Sequence, residues 1–247
     1  MSFHLSSSLN REAVHADFSN HGYAHIPSVL PAENAKRIHR SMIEATPWSL
    51  AFNDRAKHFD LSAAQLSSMA KHSVNQLQNA IFARARDSFQ YCYSSYPIYD
   101  AYEAGLNKGH VLHLFYEWMN SEEFLGFARA ATGFDDISFV DAQATRYMPG
   151  HFLSMHDDVQ PDKNRRAAYI FNFTPEWRVD WGGYLQLIDE SGHVRRGLAP
   201  SFNALNILAV QQKHNVSLVT PFAGGMRVSI AGWLRFGEKP KAPATSV

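Results

Sequence analysis

From Ile137 onward the chain breaks into short segments of strand composition: ISFVDAQATRYM, RAAYIFNF, GGYLQLI, FNALNILAV, NVSLVTPF and MRVSIAGWLRF. The turn signals PG, GG, ESG and AGG divide them. Short segments rich in β-branched and aromatic residues and separated by glycine and proline turn signals have the composition of strands. They predict an all-β unit over residues 133–237, whose strands cover one another as a sandwich or a jelly roll.

Residues 1–132 read mostly as helix. NREAVHADFSNHG predicts a helix capped by Asn10 and stopped near Gly22, YAHIPSVL a strand, and PAENAKRIHRSMIEA a second helix opened by Pro31. From Ser62 to about Tyr91 the apolar residues Leu66, Ala70, Val74, Leu77, Ile81, Ala85 and Phe89 recur at three- and four-residue steps. That period predicts a helical face packed in the core. SEEFLGFARAATG, with a capping Ser121, acidic first-turn residues and a terminal Gly133, predicts a further helix. The expected architecture is mainly β with α-helical N-terminal support. Residues 1–132 pack on the barrel to make one functional unit, and the polar tail 238–247 is expected to fray.

Charge and cysteine content narrow the function classes. The 23 basic and 23 acidic residues cancel, so no net field draws the chain to nucleic acid or to an anionic membrane, and neither is an expected partner. No apolar run approaches the length of a membrane span, and MSFHLSSSLNREAVHADF lacks the apolar core of a signal peptide. The single cysteine, Cys92, has no partner for an internal disulfide or a thiolate zinc site. It is expected to be a small buried helical residue in a cytoplasmic protein.

The stretch FLSMHDDVQ sets His156 ahead of two aspartates. On an extended strand residues two apart share a face, so His156 and Asp158 converge while Asp157 points away and is replaceable. With His214 added, two imidazoles and one carboxylate on one side of a metal leave three open positions, the arrangement associated with non-haem iron(II) oxygenases. In a chain with 13 histidines an H-x-D match also arises by accident, as a turn carboxylate pair beside a satisfied histidine. Arg227 adds a second feature, because it lies near the start of a strand that has Ser229 on the same face. A buried guanidinium with a hydroxyl two residues on suits the carboxylate of a dicarboxylate cosubstrate.

Taken in order, TRYMPGHFLSMHDD, FNFTPEWRVDWGGYLQL, LAPSFNALNIL, QQKHNVSLVTP and GGMRVSIAGWLRF resemble the 2-oxoglutarate and iron(II)-dependent dioxygenases, specifically their prolyl 4-hydroxylase-like branch. GYAHIPSVLPAENA followed by helices is similar to the support that commonly precedes that barrel. The resemblance implies a double-stranded β-helix in which His156, Asp158 and His214 hold the catalytic iron. It implies that Arg227, helped by Ser229, pairs with the distal carboxylate of 2-oxoglutarate. Tyr147 matches a position where the family often has a tyrosine near the cosubstrate; its other reading is an aromatic core residue. Asn172 stands where some prolyl hydroxylases carry a further tyrosine that touches the cosubstrate, a departure at the carboxylate contacts. The spacing from His214 to Arg227 is a few residues longer than expected, the excess lying in the turn TPFAGG.

The implied activity is hydroxylation of an aliphatic C–H bond in a prolyl residue, a peptide or an amino-acid-like substrate. It would use iron(II), 2-oxoglutarate and O2, release succinate and CO2, and have ascorbate as a candidate reductant. Asp158 itself favours hydroxylation, since a relative that halogenates has a small residue there. The loop VQPDKNRR is a candidate lid in which Arg165 and Arg166 would meet an acidic substrate group; its other reading is a solvated hairpin loop. Trp233 and Trp181 are candidates for the substrate side, although large aromatics in strands are more often core. A different class of function, a non-catalytic jelly-roll module binding a small ligand or a protein, would not require His156, Asp158, His214 and Arg227 together. An enzyme using another metal without 2-oxoglutarate leaves Arg227 unexplained. The motifs specify a reaction type and leave the substrate and the oligomeric state open.

Overall fold

The computed structural model describes residues 2–239; most of the tail expected to fray, from residue 240 on, lies outside the described residues. The first half contains α1 (Arg11–His21), β1 (Tyr23–Pro27), α2 (Ala32–Glu44), β2 (Ser49–Asp54), β3 (Lys57–Ser62), α3 (Ala63–Ser68) and α4 (Lys71–Ala85). It continues with β4 (Tyr91–Tyr96), α5 (Ile98–Glu103), α6 (Val111–Met119) and α7 (Glu122–Thr132). The second half contains β5 (Ile137–Val140), β6 (Gln143–Tyr147), β7 (Phe152–His156), β8 (Arg165–Asn172) and β9 (Leu185–Ile188). It closes with β10 (Val194–Leu198), β11 (Ala204–Ala209), β12 (His214–Val216) and β13 (Arg227–Phe236).

The strands join in one sheet along the path β1-β11-β8-β13-β6-β4-β7-β12-β9-β10, with β5 added to β13 and the β2–β3 hairpin to β4. The path curls, so that side chains of β6, β8 and β13 and side chains of β7, β9 and β12 line a common cavity. β8 illustrates why the sequence folds this way. Its run RAAYIFNF is apolar on both faces because both are covered. Tyr169 and Phe171, with Phe173 just beyond, pack into the main core against α2, α6 and α7, while Ala168 and Ile170 join a second cluster on the cavity side. Phe171 is fully buried between Phe115, Phe124, Tyr169 and Phe173.

Several end signals are where the sequence puts them. Asn10 accepts from the Ala13 N–H at the start of α1, and Gly22 and Gly133 end α1 and α7 in the left-handed conformation that favours glycine. Pro31 and Ser121 occupy cap positions without making a side-chain cap bond.

The first half is less helical than its periodicity suggests. The stripe from Leu66 to Phe89 is divided between α3 and α4, because Ser62 and Gln65 form a reciprocal capping box and Met69 and Ala70 are extended. Of the seven stripe residues only Ile81 is buried, and Phe89 is 46% exposed. The face covers a small satellite cluster of Phe52, Ile81 and Cys92, and lies outside the main core. Cys92 is buried as expected, but it sits on β4, not on a helix. β4 enters the barrel between β6 and β7, and β1 pairs with β11, so the front supplies strands to the sheet as well as helices around it.

Truncating Phe171 to alanine is expected to destabilise the protein by about 3–5 kcal/mol, the range for an emptied aromatic site in a packed core. Urea unfolding of that variant beside Phe89→Ala checks it, and the half-exposed Phe89 should cost less than half as much.

Candidate metal centre and its carboxylate pocket

β12 pairs antiparallel with β7 in the register that sets His214 opposite His156. The two imidazole rings lie 4.3 Å apart, centroid to centroid. Nδ1–H of His156 donates to the Ser154 carbonyl at 3.0 Å, and Nδ1–H of His214 to the Gln212 carbonyl at 2.8 Å. Each ring is thereby fixed in the tautomer that leaves Nε2 as a free lone pair, the form in which histidine binds a metal. Burial first, and the neighbouring His214 second, lower the pKa of His156, which favours the neutral ring.

The ladder of β7 stops at His156, yet the alternation runs on for two residues. Met155 and Asp157 are exposed, and Asp158 is only 5% exposed. The backbone N–H of Asp158 donates to the Val210 carbonyl at 3.0 Å, and its Oδ2 lies 3.6 Å from Nε2 of His214. Asp157 accepts from the Val159 N–H at 3.1 Å, an ordinary turn contact that points away from the histidines. His156, Asp158 and His214 each offer one ligand atom, and these atoms lie within 4.8 Å of one another.

Across the cavity, Arg227 begins β13 and is 2% exposed. Its Nη1–H donates to the Gly183 carbonyl at 2.9 Å, its guanidinium lies 5.1 Å from the Tyr147 ring centroid, and its buried Nε has no hydrogen-bond partner. Among the described residues no carboxylate pairs with it. Desolvation accordingly lowers its pKa. The turn that presents Gly183 depends on its neighbour Gly182, where φ is +66° and an added Cβ would collide with the Leu218 carbonyl.

Ser229 is on the same face of β13, and its Oγ is 2.8 Å from Oγ1 of Thr145. Tyr147, opposite Arg227 in the β6–β13 register, completes this end of a cavity of about 80 Å³. Asn172 is buried opposite Ser229, but it is not among the cavity-lining residues, and its amide donates to the Ile170 and Ala204 carbonyls. Trp233 lines the cavity with the Arg165 guanidinium 3.4 Å from its ring centroid, whereas Trp181 packs on Trp177 and is not a lining residue. Arg165 donates to the Asp158 carbonyl, and Arg166 is held outside by Asp136. Gln143, Thr145 and Tyr93 are among the further lining residues to which no sequence motif pointed. Strand alternation from Tyr147 would have found the first two. Tyr93 lies on the unexpected β4, where no motif pointed to it.

Residues 142–235 match the 2OG-Fe(II) oxygenase superfamily. This stretch is a 2OG-Fe(II) oxygenase domain. The chain is 30% identical over 110 residues to prolyl 3-hydroxylase sudestada1 of Drosophila melanogaster, covering 39% of this chain and 20% of that protein. It is 31% identical over 119 residues to prolyl 3-hydroxylase OGFOD1 of Xenopus laevis, covering 45% and 23%. The chain thus spans about a fifth of the length of these curated relatives. In fold it is similar to a prolyl-4-hydroxylase of Pseudomonas putida, with a TM-score of 0.58 at 16% identity over 92% of this chain and 99% of that one. It is also similar to a prolyl hydroxylase of Trichoplax adhaerens solved with a hypoxia-inducible-factor peptide fragment, with a TM-score of 0.62 at 14% identity over 92% and 89%. The oxygenase domain is the expected jelly roll.

The 2OG-Fe(II) oxygenase superfamily implies iron(II) and 2-oxoglutarate, and the residues present fit both. Two imidazoles and a carboxylate make the facial donor set, and an unpaired buried guanidinium awaits an anion. Calorimetric titration with iron(II) under anaerobic conditions is expected to show binding that Asp158→Ala abolishes and Asp157→Asn leaves intact. The reverse ranking would mean that the two aspartates are assigned the wrong way round.

Proposed function

We propose that the chain is an iron(II)- and 2-oxoglutarate-dependent dioxygenase that hydroxylates an aliphatic C–H bond and releases succinate and CO2. In this reading His156, Asp158 and His214 hold iron, and Arg227, with Ser229 and Tyr147 beside it, receives the distal carboxylate of 2-oxoglutarate. The unpaired guanidinium of Arg227, opening on the same cavity as the three ligand atoms, is the observation that carries it. A charge left alone in the interior costs several kcal/mol. An incoming dicarboxylate removes that cost, and a binding module with no need of a metal would leave the three convergent ligands without a role.

Iron(II) and 2-oxoglutarate, when bound, supply the oxidative decarboxylation that delivers one oxygen atom of O2 to the substrate carbon. The chain's own residues set the conditions for it. Backbone carbonyls orient both imidazoles, the Gly183 carbonyl and the Tyr147 ring hold Arg227, and Leu153, Ile170, Leu185 and Val216 make the walls apolar. A second cavity of about 280 Å³ shares Gln143, Gly232 and Trp233 with the first and supports an approach for the substrate on that side. The two curated relatives are named prolyl 3-hydroxylases, which favours a prolyl residue or a peptide over other amino-acid-like targets. The barrel 133–237 and the front 1–132 act in this reading as one unit. Burial pushes the lone Cys92 thiol up to about 12, so it is held protonated, and a protein without disulfide chemistry suits the cytoplasm. No helix among the described residues is long and apolar enough to cross a membrane.

Protein supplied with iron(II), 2-oxoglutarate, ascorbate and O2 is expected to form succinate, and Asp158→Ala to form none. Arg227→Gln should weaken 2-oxoglutarate about 100-fold or more, the consequence of losing one partner of a buried ion pair. Succinate yield against 2-oxoglutarate concentration measures both, and wild-type protein that binds iron without forming succinate would overturn the reading.

A further inference from the structure

Three tyrosines run from the cavity wall towards solvent. The ring of Tyr147, beside Arg227, is stacked on that of Tyr93, with centroids 5.1 Å apart and planes 26° from parallel. Tyr93 lines the same cavity, and its ring lies 5.6 Å from that of Tyr91. The phenol O–H of Tyr91 donates to Nδ1 of His58 at 2.6 Å, and Nε2–H of His58 donates to Oδ2 of Asp60 at 2.6 Å. The series ends at the surface, where the His58 and Asp60 side chains are 54% and 48% exposed.

Strand geometry explains how the series is assembled. Tyr91 and Tyr93 are two apart on β4, and His58 and Asp60 two apart on β3, so each pair shares a face. β2 bridges the two strands and lays the β3 pair beside Tyr91. A polar contact at the edge of a hairpin requires only His58, Asp60 and one phenol. It requires neither two further tyrosines in ring contact nor their end point beside the metal cavity.

A phenol that loses an electron becomes a strong acid, so a tyrosine is readily oxidised only where a base can take its proton. Of the three, Tyr91 has that base, and Asp60 offsets the charge that an imidazolium would bring. We propose that Tyr147, Tyr93 and Tyr91 form a hole-transfer path that carries an oxidising equivalent from the metal centre to Tyr91 when no substrate is in place. The path rests on the iron and 2-oxoglutarate reading above.

One electron leaves Tyr91 and passes through the Tyr93 and Tyr147 rings to the one-electron oxidant that O2 and 2-oxoglutarate generate at the metal, which is reduced by one. The Tyr91 O–H bond breaks, and its proton moves to Nδ1 of His58. A one-electron donor of the ascorbate type, reaching the exposed end, then returns the electron, and His58 returns the proton. The metal ligands are spared the oxidation that an unused oxidant would otherwise inflict on them.

The test uses whole protein loaded anaerobically with iron(II) and 2-oxoglutarate, without substrate. Loading is read from the visible charge-transfer absorption of the complex, which is then mixed with O2, frozen at intervals and examined by electron paramagnetic resonance. Wild-type protein is expected to give a tyrosyl radical, and Tyr91→Phe and Tyr93→Phe to lose that signal at equal loading. After substrate-free turnover, Tyr91→Phe should also lose its capacity to rebind iron(II) faster than wild type does. A loaded wild-type complex that consumes O2 with no tyrosyl radical, or a radical undiminished in Tyr91→Phe, overturns the path and leaves the iron reading standing. No charge-transfer complex in the wild type overturns the iron and 2-oxoglutarate reading, and the path with it.

Discussion

The register of β12 against β7 is the constraint on which the candidate site depends. It sets two imidazoles side by side, their planes tilted 54° to each other, from strands that are far apart in sequence, and each ring is then locked by a backbone carbonyl two residues upstream of its own histidine. Two such bonds fix both tautomers with no other side chain involved. A slip of one residue in either strand would turn its histidine to the opposite face of the sheet. Asp158 escapes that strict dependence, because it lies beyond the ladder and is placed by a separate bond from its backbone N–H to Val210.

Opposite this cluster the sheet does something a stability argument alone would forbid. It buries the Arg227 guanidinium, gives it one carbonyl and the face of a phenol ring, and supplies no carboxylate among the described residues. Such a group is tolerable when its counter-charge arrives from outside, and the apolar walls that make it costly also make it selective for an anion. The contrast with Arg235 is instructive. That side chain, on the same strand, pairs with Asp141 at 3.1 Å and serves the architecture.

The barrel was legible in the sequence because its strands are punctuated. Each segment from Ile137 to Phe236 is bounded by glycine, proline or a polar turn, and the two-residue repeat of His156 and Asp158, or of Arg227 and Ser229, says which side chains share a face. β4 was not legible. YCYSSY follows an apolar stripe of helical period with no glycine or proline between them, so the end of the helix and the start of the strand carry no local mark. The same stripe misleads about burial, because period reveals that a face is apolar and not how much covers it: α4 adds Ile81 to a satellite cluster with Phe52 and Cys92, not to the main core. Tyr93, at the heart of the cavity, was therefore out of reach of motif reading, whereas Thr145 was two residues from a tyrosine already singled out.

The position of β4 also bears on what can be separated from what. The stretch that matches the oxygenase superfamily begins at residue 142, after this strand, yet β4 pairs with both β6 and β7 and is the seam between them. Cut at the boundary that family likeness suggests, the barrel would open along two adjacent strands, each presenting bare N–H and C=O groups to its neighbours in solution. The smallest piece able to keep its edges covered is therefore longer than the piece that family resemblance recognises, and it must reach back at least to Tyr91.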